Sequence, residues 1–405
     1  MATIHQEVKS LEGTVTTPRG FRAAGMHCGV KPDRPDLALI TSDVPAPAAG
    51  TFTQIKTRAA GVIINEARLK LGRAQAVVIN SGNANACTGE RGFADARAMS
   101  ASAAAALGIP EDLVLSTSTG VIGRPLPIER ITQAMPRLVA ALGPHGMAAA
   151  QAITTTDAFL KTAAAEVDLG DGLVTIGGIA KGAGMIHPNM ATMIAVITTD
   201  AAIEAGVLRS GLRAAVNQTF NCISVDGDTS TSDSVFLLAN GACGLAPVTA
   251  QDSRYDAFLA GLVNVAGRLA RLIVQDGEGT TRILEIGVRG ARSDAEARMV
   301  GQTVMTSLLV KTAFHGAELN WGRISGAVGR SGADVDPDRL AIAIGEAWIV
   351  RDGVGVPEAY PLAEPLLHES EVRVTIDLGL GQGAFTGWTN ALGESYVRIN
   401  SGYLS

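Results

Sequence analysis

A threonine behind a glycine-rich segment is the first residue whose position suggests chemistry. Thr192 ends the segment 181–192, KGAGMIHPNMAT, and an apolar stretch at 193–197 follows directly. A threonine hydroxyl at a constrained turn can attack the preceding carbonyl carbon, and water then hydrolyses the resulting ester. The freed α-amine, with an ordinary pKa of about 7.7–8.0, can serve as base for that hydroxyl. On spacing alone, a glycine-rich turn before a buried strand is the simpler interpretation, because Ala-Thr is a common dipeptide.

Two further polar segments contain groups that an acyl-transfer reaction needs. Thr119 and Gly120 follow a short apolar stretch and can offer a hydroxyl and a backbone N–H to a developing oxyanion. The loop 275–282 contains Glu278, which can hold an ammonium group, and Arg282, which can brace the loop. Taken alone, the Thr119–Gly120 pair is better explained as a capping turn, and the loop 275–282 can also be a solvated helix-terminal loop.

The segment 222–233, CISVDGDTSTSD, suggests a different enzyme. We predict an apolar strand that ends at Asp226, and this strand with the pair Asp226 and Asp228 is similar to the nucleophile loop of haloacid-dehalogenase-type phosphatases. In such a phosphatase Asp226 would attack phosphorus, Asp228 would be the acid, and Mg²⁺ would lie between them. However, the segment is in the middle of the chain, whereas that loop lies near the start of a doubly wound domain. Aspartates that cap a helix and fix turns explain it without catalysis.

Composition excludes several classes of protein. The 405 residues have a net charge of −6 and no basic stripe, which argues against nucleic-acid binding. The four cysteines are scattered and form no CxxC pair, so a zinc finger or disulfide framework is not indicated. The N-terminal residues lack the apolar stretch of a signal peptide, and we expect no segment with the ~18 apolar residues of a membrane helix. We therefore expect a cytoplasmic protein that binds no membrane.

Short β-branched stretches alternate with Ala-rich helical ones, which predicts an α/β or α+β fold. We predict strands at 76–79, 112–115, 173–176 and 193–197, and helices at 93–107, 129–142, 202–216 and 253–277. A weak seam near 284–292 precedes a smaller unit, with predicted helices at 294–310 and 357–371 and strands at 340–344 and 372–378. The expected organisation is a catalytic core over 1–285 and a C-terminal α/β domain over 286–405.

Taken together, these segments closely resemble the ornithine acetyltransferase family, the bifunctional glutamate N-acetyltransferases of cyclic arginine biosynthesis. The matching segments span nearly the whole chain: 78–89, 118–123, 155–157, 181–200, 223–231, 310–313, 320–324 and 396–400. The block 181–193 is very specific, and the joint match favours Thr192 as nucleophile. It also makes the Asp226 and Asp228 loop structural. The stretches 388–393 and 400–405 depart from the family pattern, which keeps a non-catalytic amino-acid-binding relative as an alternative.

The resemblance implies a reaction and a maturation step. The precursor would cleave itself between Ala191 and Thr192 into an α chain, 1–191, and a β chain, 192–405. Thr192 would take an acetyl group from N2-acetylornithine, release ornithine and pass the acetyl group to glutamate in a ping-pong cycle. Thr119 and Gly120 would form the oxyanion hole. The substrate-binding positions would be Thr155, Lys181, Thr192, Glu278, Asn400 and Ser405.

The resemblance also implies a fold and an assembly. The fold would be an αββα sandwich similar to that of the DmpA-type aminopeptidases, with a C-terminal tail that returns to the active site. No metal or cofactor is expected, with acetyl-CoA as a candidate co-substrate. The α and β chains from one precursor would assemble as α2β2, a heterotetramer, or as a larger complex.

Overall fold

The computed structural model describes residues 8–187 and 193–402. Ala191, Thr192 and Ser405 therefore lie outside the described residues. The strands are β1 Val8–Leu11, β2 Phe21–Met26, β3 Leu37–Phe52, β4 Arg73–Asn83, β5 Val114–Val121, β6 Lys161–Asp168, β7 Leu173–Lys181, β8 Ile194–Thr199, β9 Ser234–Ala239, β10 Ile283–Ala291, β11 Ala341–Ile344, β12 Ala347–Arg351, β13 Val354–Gly355, β14 Glu371–Asp377 and β15 Gly383–Asn390. The helices are α1 Ala60–Arg68, α2 Gly89–Leu107, α3 Ile128–Ala140, α4 Gly146–Ile153, α5 Ala205–Gln218, α6 Arg254–Gln275, α7 Asp294–Met305, α8 Leu308–His315, α9 Trp321–Gly329, α10 Tyr360–Ala363 and α11 Glu394–Gly402.

The long strand β3 divides the larger sheet into two layers. The strand order is β1-β6-β7-β8-β9-β3-β4-β5, and β2 also pairs with β3. Leu37 to Ser42 of β3 pair with β2, and Leu37 to Thr41, followed by Ala46 and Pro47, pair with β4. From Ala48 to Phe52 the strand pairs with β9 instead, and a register shift between Thr41 and Ala46 precedes this change of partner. Such an irregularity bends a strand and increases its twist, so one strand can belong to both layers.

The two layers pack face to face and are covered by helices on their outer sides. Between them, Ile40 and Ile79 of one layer share a core with Val196 and Phe236 of the other, all fully buried. Helices α5 and α6 cover the outer face of the β6–β9 layer. Helices α2 and α3 cover the outer face of the β2–β5 layer. This order of layers confirms the expected αββα sandwich.

The smaller unit is built on a six-stranded sheet with the order β13-β12-β11-β14-β10-β15. Its core also takes side chains from α7, α8 and α9. The predicted helix over 357–371 was wrong. That stretch contains two 3₁₀ turns and the four-residue helix α10 before β14 begins. Pro361 and Pro365 explain the difference, because proline removes a backbone donor and clashes with the preceding helical turn.

Helix α6 contradicts the expectation that no segment is long and apolar enough for a membrane helix. Its 22 residues include a window of mean hydropathy 1.6, so by length and composition it could cross a membrane. In the structure it is a core helix, because Phe258, Leu262, Leu269 and Ile273 are fully buried against the sheet at helical spacing. Gly261 allows the close approach, since a Cβ there would lie 2.3 Å from the Val167 side chain.

Candidate functional site

One cavity of about 190 Å³ brings together residues that are far apart in the chain. They come from the end of β5, the loop after α4, the end of β7, the loop before β9 that contains Asp226 and Asp228, the loop after α6, and α11. Every predicted site residue that the structure describes lines this cavity, namely Thr119, Gly120, Thr155, Lys181, Glu278 and Asn400. Their roles in the reaction stay predictions, and Thr192, Ala191 and Ser405 lie outside the described residues.

The Thr119–Gly120 corner is held by close backbone packing. The sequence predicted a strand ending at residue 115, but β5 continues to Val121 and includes both residues. Gly120 has a φ of +130°, and a Cβ there would lie 2.4 Å from the carbonyl carbon of Gly82 on β4. Only glycine fits this position without moving the backbone. The peptide that could present an N–H to an oxyanion is therefore fixed in place.

Lys181 is a buried cation at the end of β7. Within the described ranges, its Nζ donates one hydrogen bond, to Thr119 Oγ1 at 3.4 Å, and has no carboxylate within ion-pair distance. Burial lowers the pKa of Lys181, while the nearby carboxylates of Asp157, Asp233 and Glu278 act in the opposite direction. An incoming carboxylate would supply the close counter-ion that the free site lacks.

Asp157 holds two of the lining segments in place. Its Oδ1 accepts hydrogen bonds from Gly182 N at 2.8 Å and Lys161 Nζ at 2.6 Å, and its Oδ2 accepts one from Thr155 N at 2.8 Å. Burial alone would raise the pKa of Asp157, but the cationic Lys181 and Lys161 hold it at about 2. Asp157 lies in the matched segment 155–157, but nothing in the sequence pattern indicates this role.

The loop after α6 and the last helix meet over the cavity. Glu278 Oε2 accepts a hydrogen bond from Asn400 Nδ2 at 2.8 Å, which ties α11 to the loop. A Cβ at Gly184 would lie 2.6 Å from the Glu278 carboxylate, so glycine leaves the space that this side chain needs. Arg282 braces the loop as expected, since its Nη1 donates to the carbonyl oxygens of Phe314, at 2.7 Å, and Leu367.

The carboxylate of Asp226 is held by hydrogen bonds from neighbouring loops and helix α11, as expected for a structural residue. Its carboxylate accepts hydrogen bonds from Met185 N at 2.5 Å and Ile186 N at 2.8 Å, and from the Tyr396 hydroxyl at 3.3 Å. Burial raises the pKa of Asp226, and the backbone donors oppose that rise. The expected strand before Asp226 was wrong, because residues 220–222 form a 3₁₀ turn and an irregular loop follows. A carboxylate already engaged by two amides does not favour the phosphatase interpretation.

Asp233 is a second buried carboxyl group that sequence reasoning missed. It is fully buried, and its Oδ1 accepts a hydrogen bond from Met193 N at 3.0 Å. Its Oδ2 has no hydrogen-bond partner among residues 8–187 and 193–402. Burial raises the pKa of Asp233 well above its usual range. The structure thus places a carboxyl group beside the residue that follows Thr192 in the chain.

An αββα core with a Thr–Gly corner, a buried lysine and a carboxylate around one cavity defines an acyltransferase with the N-terminal-nucleophile type of fold. A family model described as the ArgJ family matches residues 22–405, and the chain belongs to that family.

Two relatives are similar along almost their whole length. The arginine biosynthesis bifunctional protein ArgJ of Symbiobacterium thermophilum is 47% identical, over 97% of this chain and 99% of the relative. The protein of the same name from Geobacter sulfurreducens is 48% identical, over 95% and 99%. A solved structure, ornithine acetyltransferase complexed with ornithine from Mycobacterium tuberculosis, is 39% identical over 45% of this chain and 98% of that chain, with a TM-score of 0.43.

Proposed function

We propose that this chain is a self-processing acetyltransferase that moves the acetyl group of N2-acetylornithine to glutamate. Membership of the ArgJ family supports the reaction class. The observation that carries the assignment is the meeting of Thr119, Gly120, Lys181 and Glu278 in one cavity, which Gly184 and Met185 also line. These are the groups that an acyl transfer between two amino acids requires.

The first half-reaction is an attack by the Thr192 hydroxyl on the acetyl carbonyl carbon. The α-amine that cleavage frees on Thr192 takes the hydroxyl proton as general base. The Thr119 hydroxyl and the Gly120 N–H stabilise the oxyanion. The C–N bond then breaks, ornithine leaves with the proton on its amine, and the acetyl group remains as a threonine ester.

The second half-reaction reverses these steps with glutamate, whose α-amine attacks the ester to give N-acetylglutamate. Lys181 binds the α-carboxylate that both substrates share, and Glu278 and Asn400 bind the remaining polar groups. Thr155 lines the same cavity. A cavity of about 190 Å³ is below the usual range for drug-sized ligands, so it suits one amino-acid-sized substrate at a time. Such a site fits a ping-pong order.

Four further features belong to the same proposal. The cycle uses no cofactor or metal, because the nucleophile, base and oxyanion donors all come from the chain. Acetyl-CoA is a second acetyl donor that forms the same ester. Ser405 completes the substrate site from the C-terminus. The α and β chains assemble as α2β2 or a larger complex in the cytoplasm.

The test is intact mass under denaturing conditions, followed by an acetyl-transfer assay. We expect two chains, 1–191 and 192–405, from the parent protein and a single inactive chain from Thr192→Ala. A Glu278→Gln variant, in contrast, should be cleaved but have a raised KM, because it lacks only the charge at the cavity wall. Cleavage of Thr192→Ala at the same bond would refute the nucleophile. An uncleaved parent whose Tm rises with ornithine, without turnover, would support the amino-acid-binding alternative instead.

A further inference from the structure

A second cavity, of about 480 Å³, lies between the end of β3, the 3₁₀ turn after α1, and α5. It shares no lining residue with the catalytic cavity. We call it the basic cleft and define it by Thr51, Lys70, Arg209, Arg213 and Asn217. Apolar side chains also line it, among them Ala49, Phe52, Leu69 and Val216.

Within residues 8–187 and 193–402, the three cations of the basic cleft have no counter-ion. Arg209 and Arg213 are four residues apart on α5 and therefore project from the same face of the helix. Neither they nor Lys70 form an ion pair or side-chain hydrogen bond with any part of the chain that the structure describes. The carboxylate in the lining, Glu66, is already paired with Arg58 at 2.7 Å. Like charges at this spacing destabilise a helix, and a bound anion would remove that repulsion.

Two sides of the cleft, the end of α5 and Thr51 on β3, are already in place without a ligand. Arg298 of α7 donates to the carbonyl oxygens of Asn217 and Asn221, both at 2.9 Å, and so holds the end of α5. The Oγ1 of Thr51 is buried and has no hydrogen-bond partner in the described ranges. A buried hydroxyl without a partner is costly, and a ligand oxygen would satisfy it.

We propose that the basic cleft binds a small organic anion that carries phosphate groups or several carboxylate groups. Arginine guanidinium groups match both kinds of anion with paired hydrogen bonds, and Lys70 adds a point charge opposite them. The apolar lining accommodates the carbon skeleton. Basic amino acids such as ornithine are excluded as ligands, because their side-chain ammonium would face three like charges. The proposal does not depend on the acetyl-transfer assignment.

Isothermal titration of the purified protein tests this site with two probes, pyrophosphate and citrate, at low and high NaCl concentration. At least one probe should bind, and its Kd should increase with salt because the contacts are between exposed charges. Arg213→Ala and Arg209→Ala should each weaken binding about tenfold, the loss expected for one charged hydrogen bond. The tighter of the two probes identifies the anionic group of the natural ligand.

The matched control is Arg330→Ala, which removes an exposed arginine after α9, in the smaller unit. Its affinity for the probes should equal that of the parent protein. Equal affinities for Arg213→Ala and Arg330→Ala would overturn the proposal, because the anion would then bind elsewhere. Failure of both probes to bind at low salt would overturn it as well.

Discussion

Replacing Asp157 with asparagine separates the structural and electrostatic roles of one carboxylate. The amide has one acceptor oxygen, so it cannot serve Thr155 N, Gly182 N and Lys161 Nζ as the carboxylate does. Breaking a buried ion pair costs about 3–5 kcal/mol. Lys161 keeps its 2.5 Å contact with Asp276, which places the loss near the lower end, at about 3 kcal/mol. Urea denaturation at neutral pH measures this loss.

The second effect is on substrate affinity as a function of pH. Burial lowers the pKa of Lys181, and the negative charge of Asp157 is the strongest influence that raises it again. Asp157→Asn removes that influence, so Lys181 loses its proton at lower pH than in the parent. Because the protonated form binds the substrate carboxylate, KM for N2-acetylornithine should begin to rise at lower pH in the variant. Above that point KM increases about tenfold per pH unit.

Asp276→Asn is the matched control for both effects. It also removes one carboxylate from Lys161, and the other donor to Asp276 is Ala158 N. The carboxylates that raise the pKa of Lys181 are those of Asp157, Asp233 and Glu278, so Asp276→Asn leaves them in place. It should lower stability by a similar amount and leave the pH dependence of KM unchanged. If KM–pH profiles of Asp157→Asn and the parent coincide, Asp157 does not act through Lys181 and the electrostatic reasoning is refuted.

Two further substitutions test the Thr–Gly corner and a buried lysine. Gly120→Ala should cost about 2–5 kcal/mol in urea denaturation and abolish chain cleavage by intact mass, because its Cβ would overlap Gly82. Gly123→Ala, with a φ of +78° but nothing within 4 Å, should cost only about 1 kcal/mol and be cleaved normally. Burial lowers the pKa of Lys311 from 10.5 to about 7. The unfolded chain therefore binds an additional proton between these pH values, and parent stability should rise with pH there. That rise should be absent in Lys311→Met, and parallel stability–pH curves for the two proteins would contradict this reasoning.

The local pattern of the sequence predicts some elements well and misses others for identifiable reasons. Helix α2 was expected because its stretch is Ala-rich, and α3 and α6 because their apolar residues recur at helical spacing. The long strand β3 was not expected, because Pro45 and Pro47 interrupt it and proline is unusual inside a sheet. These prolines lie at the bend where β3 changes partners. The bend creates the two layers, so the residues that obscure the strand contribute to the architecture.

Thr155 and Asn400 were identified by resemblance and not by local pattern. They have ordinary neighbours in the sequence, and their meeting depends on how six distant segments pack. Asp157 and Asp233 were missed for a related reason. A carboxylate becomes functional here through burial and through the atoms it faces, and neither property is visible in a single sequence.

The pairing of strands on either side of residues 182–193 has a consequence for the mature protein. β7, before the proposed cleavage site, pairs with β8, after it, and β3 pairs with β9 in the same way. Scission of one peptide bond would thus leave two polypeptides interwoven through shared ladders and a common core. Such fragments stay together without a covalent link until the whole sandwich unfolds. Refolding from the separated fragments becomes bimolecular and concentration-dependent, whereas the uncut precursor folds as one chain. The covalent link between the two halves is therefore needed for folding as one chain but not for keeping the folded halves together.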